Sequence, residues 1–246
     1  MRPAEAKAQQ RLHTDGGPRT GAIQRAFDIL SATMGLLMLA PLMLIIAIAI
    51  RTESEGPVFF SHVRLGAGGK RFRMHKFRKF HEDGATGGTA VTLQGDDRMT
   101  RVGRLLARTK LDELPQLWNI LKGEMAVVGP RPEALAFADC FDDRFRKVLD
   151  FRPGIFGPNQ IFFRNESVLY RPGIDPERFY RDVLFPLKAR ADLAYFPYRT
   201  VRRDLVWVAR GIGAVLGLRS SCKRGWDPLA SVETWTDENQ RRQGRA

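Results

Sequence analysis

The hydropathy pattern divides the chain into stretches of different period. Residues 1–21 are polar and basic, contain Gly16-Gly17-Pro18, and read as an unstructured lead-in. Between Asp28 and Arg51 no residue is charged. At ~1.5 Å per residue that run makes about 33 Å of helix, enough to cross a ~30 Å hydrocarbon layer. It is too long for a cleavable signal, and IAIAIRTESEG has no convincing small-residue cleavage site. The period then changes to two. Residues 58–63 read as a strand, 66–69 as a turn, and 70–80 alternate, which predicts a β-hairpin. Phe72, Met74, Lys76, Arg78 and Phe80 share one face of it. Arg71, Arg73, His75, Phe77 and Lys79 share the other.

Beyond a Gly-, Thr- and Asp-rich loop at 81–99, the period becomes helical. Val102, Leu105, Leu106 and Thr109 form one apolar face; Leu114, Leu117, Trp118 and Leu121 form the next. Pro115 is tolerated only in a first turn, so the second helix starts near Asp112, and Gly123 ends it. Residues 134–150 predict a helix ending before Pro153, and prolines 172, 176, 186 and 197 divide 170–198 into short helices. Residues 199–220 are apolar on one side. Arg210 makes a membrane span costly there, so an interfacial amphipathic helix is expected. The tail after Cys222 is polar and reads as loose.

Length alone would make 29–50 a transmembrane anchor. Two features favour a helix that enters one leaflet and returns. Pro41 leaves the carbonyl of Leu37 without its helical donor and bends the helix. Both flanks are basic as well: Arg11, Arg19 and Arg25 before, then Arg51, Arg64, Lys70, Arg71 and Arg73 after. The positive-inside rule places both on the cytoplasmic side.

Composition adds a partner class. The chain has 246 residues, which permits one large or two small domains, and no internal repeat; 43% hydrophobic residues suffice for a core. Forty basic residues against 27 acidic give a net charge of +13, pointing to nucleic acid, an anionic membrane surface or phosphorylated substrates. Cys140 and Cys222 cannot form a disulfide framework, which suits a reducing compartment. In the hairpin, Lys76 and Arg78 are candidates to hold phosphate, with anionic lipid head groups as the equal alternative.

The densest chemistry lies in 100–133. Arg101, Arg104 and Arg108 recur at helical spacing, Asp112 and Glu113 follow, and Arg131 is held between Pro130 and Pro132. Acids at a helix N-terminus are ordinarily caps, but capping needs one acid. A glycosidase pair needs carboxyls ~5–10 Å apart across a sugar, for which sequence neighbours are poorly placed. Adjacent carboxylates suit a divalent metal, with one of them free to attack phosphorus.

KFRKF, followed by DDRMTRVGRLLARTKLDELPQLWNILKGEMAVVGPRPE, closely resembles the bacterial sugar transferase family. These are monotopic polyprenyl-phosphate phosphoglycosyl transferases. The resemblance covers roughly residues 25–218, and the order and spacing of LDELPQLWN and VVGPRPE make it specific. It implies an α+β, mostly helical fold. A disordered segment (1–21) and a re-entrant helix bent at Pro41 (22–51) would precede a cytosolic catalytic domain (52–221) with a small β-hairpin and interfacial helices, and a polar tail (222–246) would follow. It also implies transfer of a sugar phosphate from a UDP-sugar to polyprenyl phosphate, on the cytoplasmic face of the bacterial inner membrane, with inner-membrane lipid as a further partner. Asp112 matches the nucleophile and Glu113 the partner that binds or positions Mg²⁺, with Mn²⁺ as the second candidate ion. Arg131 matches a phosphate contact, and Lys76, Arg78 and Arg108 join it as candidate substrate-binding cations. A homodimer is left open, and no nucleic acid is expected.

The chain departs from the family's pattern in places. The family breaks its membrane helix at Ser-Pro; Ala40-Pro41 here offers no hydroxyl for the freed carbonyl. Lys110 stands where serine is common and reads as solvated. RPGIFGPNQIFFRNE resembles the family's KPGITGLAQVSGRNE. Gly154, Gly157, Gln160, Arg164, Asn165 and Glu166 keep the pattern, whereas Phe156, Asn159, Phe162 and Phe163 break it. Gln160 and Arg164 are candidate substrate contacts, and the loop would read the sugar or uridine, or touch the membrane.

Two other classes fit the charge or the anchor. A membrane-anchored nucleic-acid binder would use the +13 charge, but no recognised nucleic-acid module is present, and salt-sensitive duplex binding would reveal it. A non-catalytic scaffold of an export complex would have no use for Asp112 beside Glu113.

Overall fold

The computed structural model describes residues 21–81, 98–170, 175–215 and 217. The expected lead-in (apart from Gly21), most of the expected loop at 81–99 and the tail after Cys222 lie outside them.

The uncharged run forms one helix, α1 (Ala22–Glu53), which stays helical on both sides of Pro41. It is long and apolar enough to cross a membrane. Only Asp28, Ala32, Ile46 and Ile50 are buried, while Leu30, Met34, Leu37, Met38, Leu44, Ile45 and Ile48 stand exposed. The helix therefore packs along a narrow seam and leaves an apolar stripe uncovered. Both ends of the seam are tied down. Near the start, the Arg25 guanidinium donates to the Ile120 and Leu121 carbonyls at 2.7 and 2.8 Å, and Asp28 Oδ1 accepts from the Val127 N–H at 2.8 Å. At the far end, the Glu53 carboxylate accepts from the Arg101 and Val102 N–H groups at 2.6 and 2.9 Å. That caps the helix carrying those two residues.

The hairpin is as expected. Strand β1 (Phe59–Leu65) pairs antiparallel with β2 (Arg71–Phe77), from Phe59 opposite Phe77 to Leu65 opposite Arg71. Gly68 and Gly69 take φ of 66° and 72° in the turn, where a side chain would be strained. The hairpin face toward the body buries Phe72, Met74 and Lys76.

Helix α2 (Arg101–Thr109) begins at Thr100, whose hydroxyl accepts from the Gly103 N–H at 2.8 Å. A 3₁₀ turn (Leu111–Glu113) leads into α3 (Gln116–Lys122), which stops at Gly123 with φ 81°. The acids thus sit in the turn just ahead of the helix. Strand β3 (Ala126–Val128) runs parallel to β4 (Gly154–Phe156). Then come α4 (Pro158–Phe162), α5 (Pro176–Phe179), a π turn (Tyr180–Leu184), α6 (Phe185–Tyr195) and α7 (Val201–Val215).

The helix expected over 134–150 is replaced by two 3₁₀ segments, Leu135–Cys140 and Arg146–Asp150. Between them Asp142 folds back and accepts from the Arg144 N–H at 3.0 Å, a local bond that competes with helical pairing. The phenylalanines in this stretch face inward: Phe137, Phe141 and Phe145 join Phe179, Val183, Leu184 and Phe185 in one core. A second core joins Ala32 of α1 to Met74, Ile120, Val128, Phe151 and Phe196; a third joins Ile46 and Ile50 to Phe77 and Leu106. Helix α1 is thus part of two of the three cores. Along α7, Asp204 and Gly211 face inward, while Leu205, Val206, Ile212 and three arginines, Arg202, Arg203 and Arg210, are exposed. Helix α7 is thus amphipathic, with arginines among its exposed apolar residues.

Candidate active site

Lys110 ends α2 in the left-handed conformation (φ 63°), and the reversal turns the next residues inward. Asp112 is 1% exposed and Glu113 7%. Two buried neighbouring carboxylates need compensation. Lys76, from the inward face of β2, places Nζ 2.8 Å from Glu113 Oε1 and 3.7 Å from Asp112 Oδ2. Arg131, from the Pro-Arg-Pro segment after β3, places Nη2 3.3 Å from Glu113 Oε1. Lys79, just beyond β2, places Nζ 3.2 Å from Asp112 Oδ2. Asp112 Oδ1 is buried without a hydrogen-bond partner. Among the described residues, three cations lie within 4 Å of these two anions, an excess of one positive charge.

The electrostatics follow. Burial alone would raise the Glu113 carboxyl, but the Lys76 ammonium and Arg131 guanidinium hold it well below the usual range. Burial lowers the Lys76 ammonium, against the opposing pull of Glu113 and Asp112. Glu113 outweighs burial at Arg131 and raises it. Burial and the nearby Arg131 lower Lys110, which is half-buried rather than solvated as expected. His62 lies opposite Met74, on the hairpin face that carries Lys76. Burial and the charges of Arg64 and Lys76 push it down to about 3, so the imidazole is neutral.

The structure brings Lys76 and Arg131 to the acids and gives other anticipated residues different work. Arg78 is buried and donates to the Ser54 and Glu55 carbonyls and the Ser54 hydroxyl, so it clasps the end of α1 instead of facing a phosphate. Arg101, Arg104 and Arg108 are exposed on α2. Arg108 offers its carbonyl to Arg164 Nη2 at 3.2 Å, while Arg104 donates to the Met99 carbonyl at 2.8 Å. In their place Lys76 and Lys79, with Arg131, frame the acids. Gln160 donates both amide hydrogens, to the Gly129 and Gly154 carbonyls at 3.1 and 2.9 Å, and so braces the β3–β4 crossing. That crossing is tight: a Cβ on Gly154 would lie 2.1 Å from the Gly129 nitrogen.

The aromatic departures are packing. Phe163 is buried with the Lys188 ammonium 5.8 Å from its ring, Phe162 meets Trp207 edge to face, and Phe156 lies where Gly211 has no side chain. They lock α4 and β4 to α6 and α7, so they are not placed to read a substrate.

Lys79 is the site residue that sequence reasoning missed. Alternation assigned it to the face opposite Lys76. The strand ends at Phe77, and beyond it the alternation no longer holds. A surface cavity of about 830 Å³ lies by the end of α1, lined by Arg51, Glu55, Gly56, Pro57 and Val58, and the acids take no part in it. Among the described residues no three His, Cys, Asp or Glu side chains gather as a metal cage. Two adjacent carboxylates are oxygen donors of the kind a hard divalent ion takes.

A family model described as bacterial sugar transferase matches residues 19–217. The UDP-N-acetylgalactosamine-undecaprenyl-phosphate N-acetylgalactosaminephosphotransferase of Aeromonas hydrophila is 42% identical over 144 residues, covering 56% of this chain and 34% of that protein. The UDP-glucose:undecaprenyl-phosphate glucose-1-phosphate transferase of Caulobacter vibrioides is 37% identical over 198 residues, covering 78% of this chain and 69% of the relative. The exopolysaccharide production protein ExoY of Rhizobium meliloti is 34% identical over 219 residues, covering 83% and 90%. The chain thus spans about a third of the Aeromonas protein and most of the other two.

Proposed function

The chain belongs to the bacterial sugar transferase family, and from that premise we propose that it moves a sugar 1-phosphate from a UDP-sugar to polyprenyl phosphate, an early membrane step in assembling exopolysaccharide, capsule, O-antigen or glycoprotein glycan. The observation that carries this reading is the buried Asp112–Glu113 pair with one unpartnered carboxylate oxygen inside a cluster of surplus positive charge.

The reaction divides into two displacements. A lone pair on the Asp112 carboxylate forms a bond to the β-phosphorus of the donor. The bond from that phosphorus to the bridging oxygen breaks, and UMP leaves with the electron pair. A phosphate oxygen of the lipid then attacks the same phosphorus, the bond to Asp112 breaks, and the carboxylate returns. Splitting the transfer lets a soluble donor and a lipid acceptor use one site in turn. Lys76, Lys79 and Arg131 offset charge on the phosphoryl oxygens, and Arg131 offers a two-pronged contact that a lysine cannot. Glu113, beside Asp112, would hold Mg²⁺ or Mn²⁺, which would supply further charge neutralisation on the phosphate, and Asp112 Oδ1 stays open for phosphorus.

The setting is the cytoplasmic face of the inner membrane, entered from one side. A helix that spans must part its ends by a bilayer, whereas both ends of α1 bond to the same body. Its exposed apolar stripe suits lipid, and the arginines of α7 suit anionic head groups. Membranes containing the protein, given polyprenyl phosphate and a panel of UDP-sugars, should release UMP with one of them. Asp112→Asn should abolish release and the phosphosugar adduct on the protein, a loss of about 10³-fold or more. An Asp112→Asn protein with full activity would overturn the assignment.

A further inference from the structure

Lys79 lies in the KFRKF stretch but is not among the phosphate contacts that the sequence suggests, yet its ammonium makes the shortest contact to the Asp112 carboxylate, 3.2 Å against 3.7 Å for Lys76. Lys76 stands closer to Glu113, at 2.8 Å, and Arg131 also faces Glu113. The two acids are therefore served separately. Glu113 has Lys76 and Arg131; Asp112 depends on Lys79, with Lys76 shared.

The placement of Lys79 is built in. Its carbonyl accepts from the Thr100 N–H at 3.0 Å, at the cap of α2. A Cβ on Gly103 would lie 2.0 Å from that same carbonyl, so α2 can approach only because residue 103 has no side chain. Helix α2 also leads directly into the turn carrying Asp112. The lysine and the acid are thus set by one rigid contact, and the Lys79 side chain is 19% exposed.

The two oxygens of Asp112 are unequal. Oδ2 faces two ammonium groups; Oδ1 is buried and has no partner. A buried acceptor without a protein partner is costly, and Oδ1 is left open to an incoming group. A nucleophile needs one oxygen free while the rest of the carboxylate is held still.

We propose that Lys79 is the positioning residue of Asp112, holding one carboxylate oxygen so that the unpartnered one is presented to phosphorus. When the lone pair of the free oxygen forms the bond to phosphorus, the held oxygen becomes an acyl carbonyl and loses its charge. Lys79 is then released toward the phosphoryl oxygens. The kinetic part of this proposal rests on the transferase reading above; the stability part does not.

The test compares Lys79→Met and Lys79→Arg in full-length protein in nanodiscs. Expected is a fall in kcat of about 10- to 100-fold for Lys79→Met, with donor KM within about 3-fold and most of the rate regained in Lys79→Arg. Adduct formation in a single turnover should slow in parallel. Unchanged kcat, or a loss carried wholly by KM, overturns the proposal. Thermal unfolding without substrate supplies the second arm. Lys79→Met should lower Tm by roughly 5 °C with Asp112 present, and by much less in an Asp112→Asn background, where no buried charge is left uncompensated. Equal losses in both backgrounds would make Lys79 a structural residue only and overturn the proposal. Absence of UMP release by the unaltered protein with every donor would refute the transferase reading, and the Tm comparison would still decide on Lys79.

Discussion

Two of the buried polar clusters among the described residues are balanced in opposite directions. Around Asp112 and Glu113 stand Lys76, Lys79 and Arg131, an excess of one positive charge. In the second cluster Glu166 and Asp192 face the Lys188 ammonium, and Glu133, with Arg64 near it, reaches that ammonium through the Tyr180 hydroxyl. There the acids are in excess. Tyr180 donates to Glu133 Oε2 at 2.6 Å, Asn159 donates to Asp192 Oδ2 at 2.7 Å, and Lys188 bridges Glu166 and the Tyr180 hydroxyl. The difference separates a site from a scaffold. Surplus positive charge beside an unpartnered carboxylate is costly without a ligand, and an arriving phosphate relieves it. Surplus negative charge closed by hydroxyl, amide and ammonium donors invites no anion, and it holds α4 and α6 beneath Arg131. Arg131 joins the two, since it feels Glu166 and Glu133 behind it as well as Glu113 in front.

The largest effect should come from breaking the scaffold. Lys188→Met removes the ammonium between Glu166 and Tyr180 and leaves its acids without it. Removing one partner of a buried pair costs about 3–5 kcal/mol, or a drop in Tm of roughly 10 °C for a chain of this size. Whatever remains folded should keep its donor KM within about two-fold, because Lys188 holds α4 and α6 and is not expected to touch substrate. Thermal unfolding alongside donor titration checks both. A KM effect without a Tm effect would make the second cluster part of the site.

Breaking the site should be milder for stability and harsher for chemistry. Arg131→Met cancels the surplus charge, and kcat/KM for the donor should fall by about 10²-fold, close to 2.7 kcal/mol. Arg131→Lys restores the charge but not the fork, so it should recover only part of the loss. Full recovery by lysine would show that net charge alone is what the site requires.

The clusters also differ in how visible they were in sequence. Asp112 and Glu113 are adjacent, Arg131 is fixed between two prolines, and the long apolar run and the alternation around Lys76 needed no tertiary knowledge. Lys79 was hidden because strand alternation stops one residue after Phe77. The second cluster draws on residues 133, 159, 166, 180, 188 and 192; three of them stand in family-like stretches, but nothing in the sequence joins them to Tyr180, Lys188 and Asp192. Lys188 and Asp192 stand four apart on α6, the spacing of an exposed helical pair, yet both are buried because α6 is covered on nearly all sides. The aromatics 156, 162 and 163 were ambiguous for the same reason. Whether a phenylalanine faces lipid, substrate or core depends on what packs over it, here Gly211, Trp207 and Lys188. The failed helix at 134–150 turned on one local bond at Asp142.

The smallest prediction sharpens the comparison without breaking either cluster. Asp192 is buried, with Oδ1 unpartnered. Burial and the charge of Glu133 push its carboxyl well above 3.8, against Lys188 and the Asn159 bond. A folded pKa above the unfolded one means the native state binds the proton more tightly. The corresponding stability is present below about pH 3.8 and is lost as pH rises through the folded value. At neutral pH the side chain therefore destabilises the native state, whether it keeps a proton or buries a charge. An asparagine in its place would keep an oxygen for the Asn159 amide and would not titrate. Asp192→Asn should raise Tm by about 2–4 °C near pH 8, equivalent to about 1 kcal/mol, with the gain vanishing near pH 4. Unfolding measured at pH 4, 6 and 8 decides it. A gain independent of pH would mean that Asp192 binds its proton equally in the folded and unfolded chain, and that burying acids is not what distinguishes the scaffold from the site.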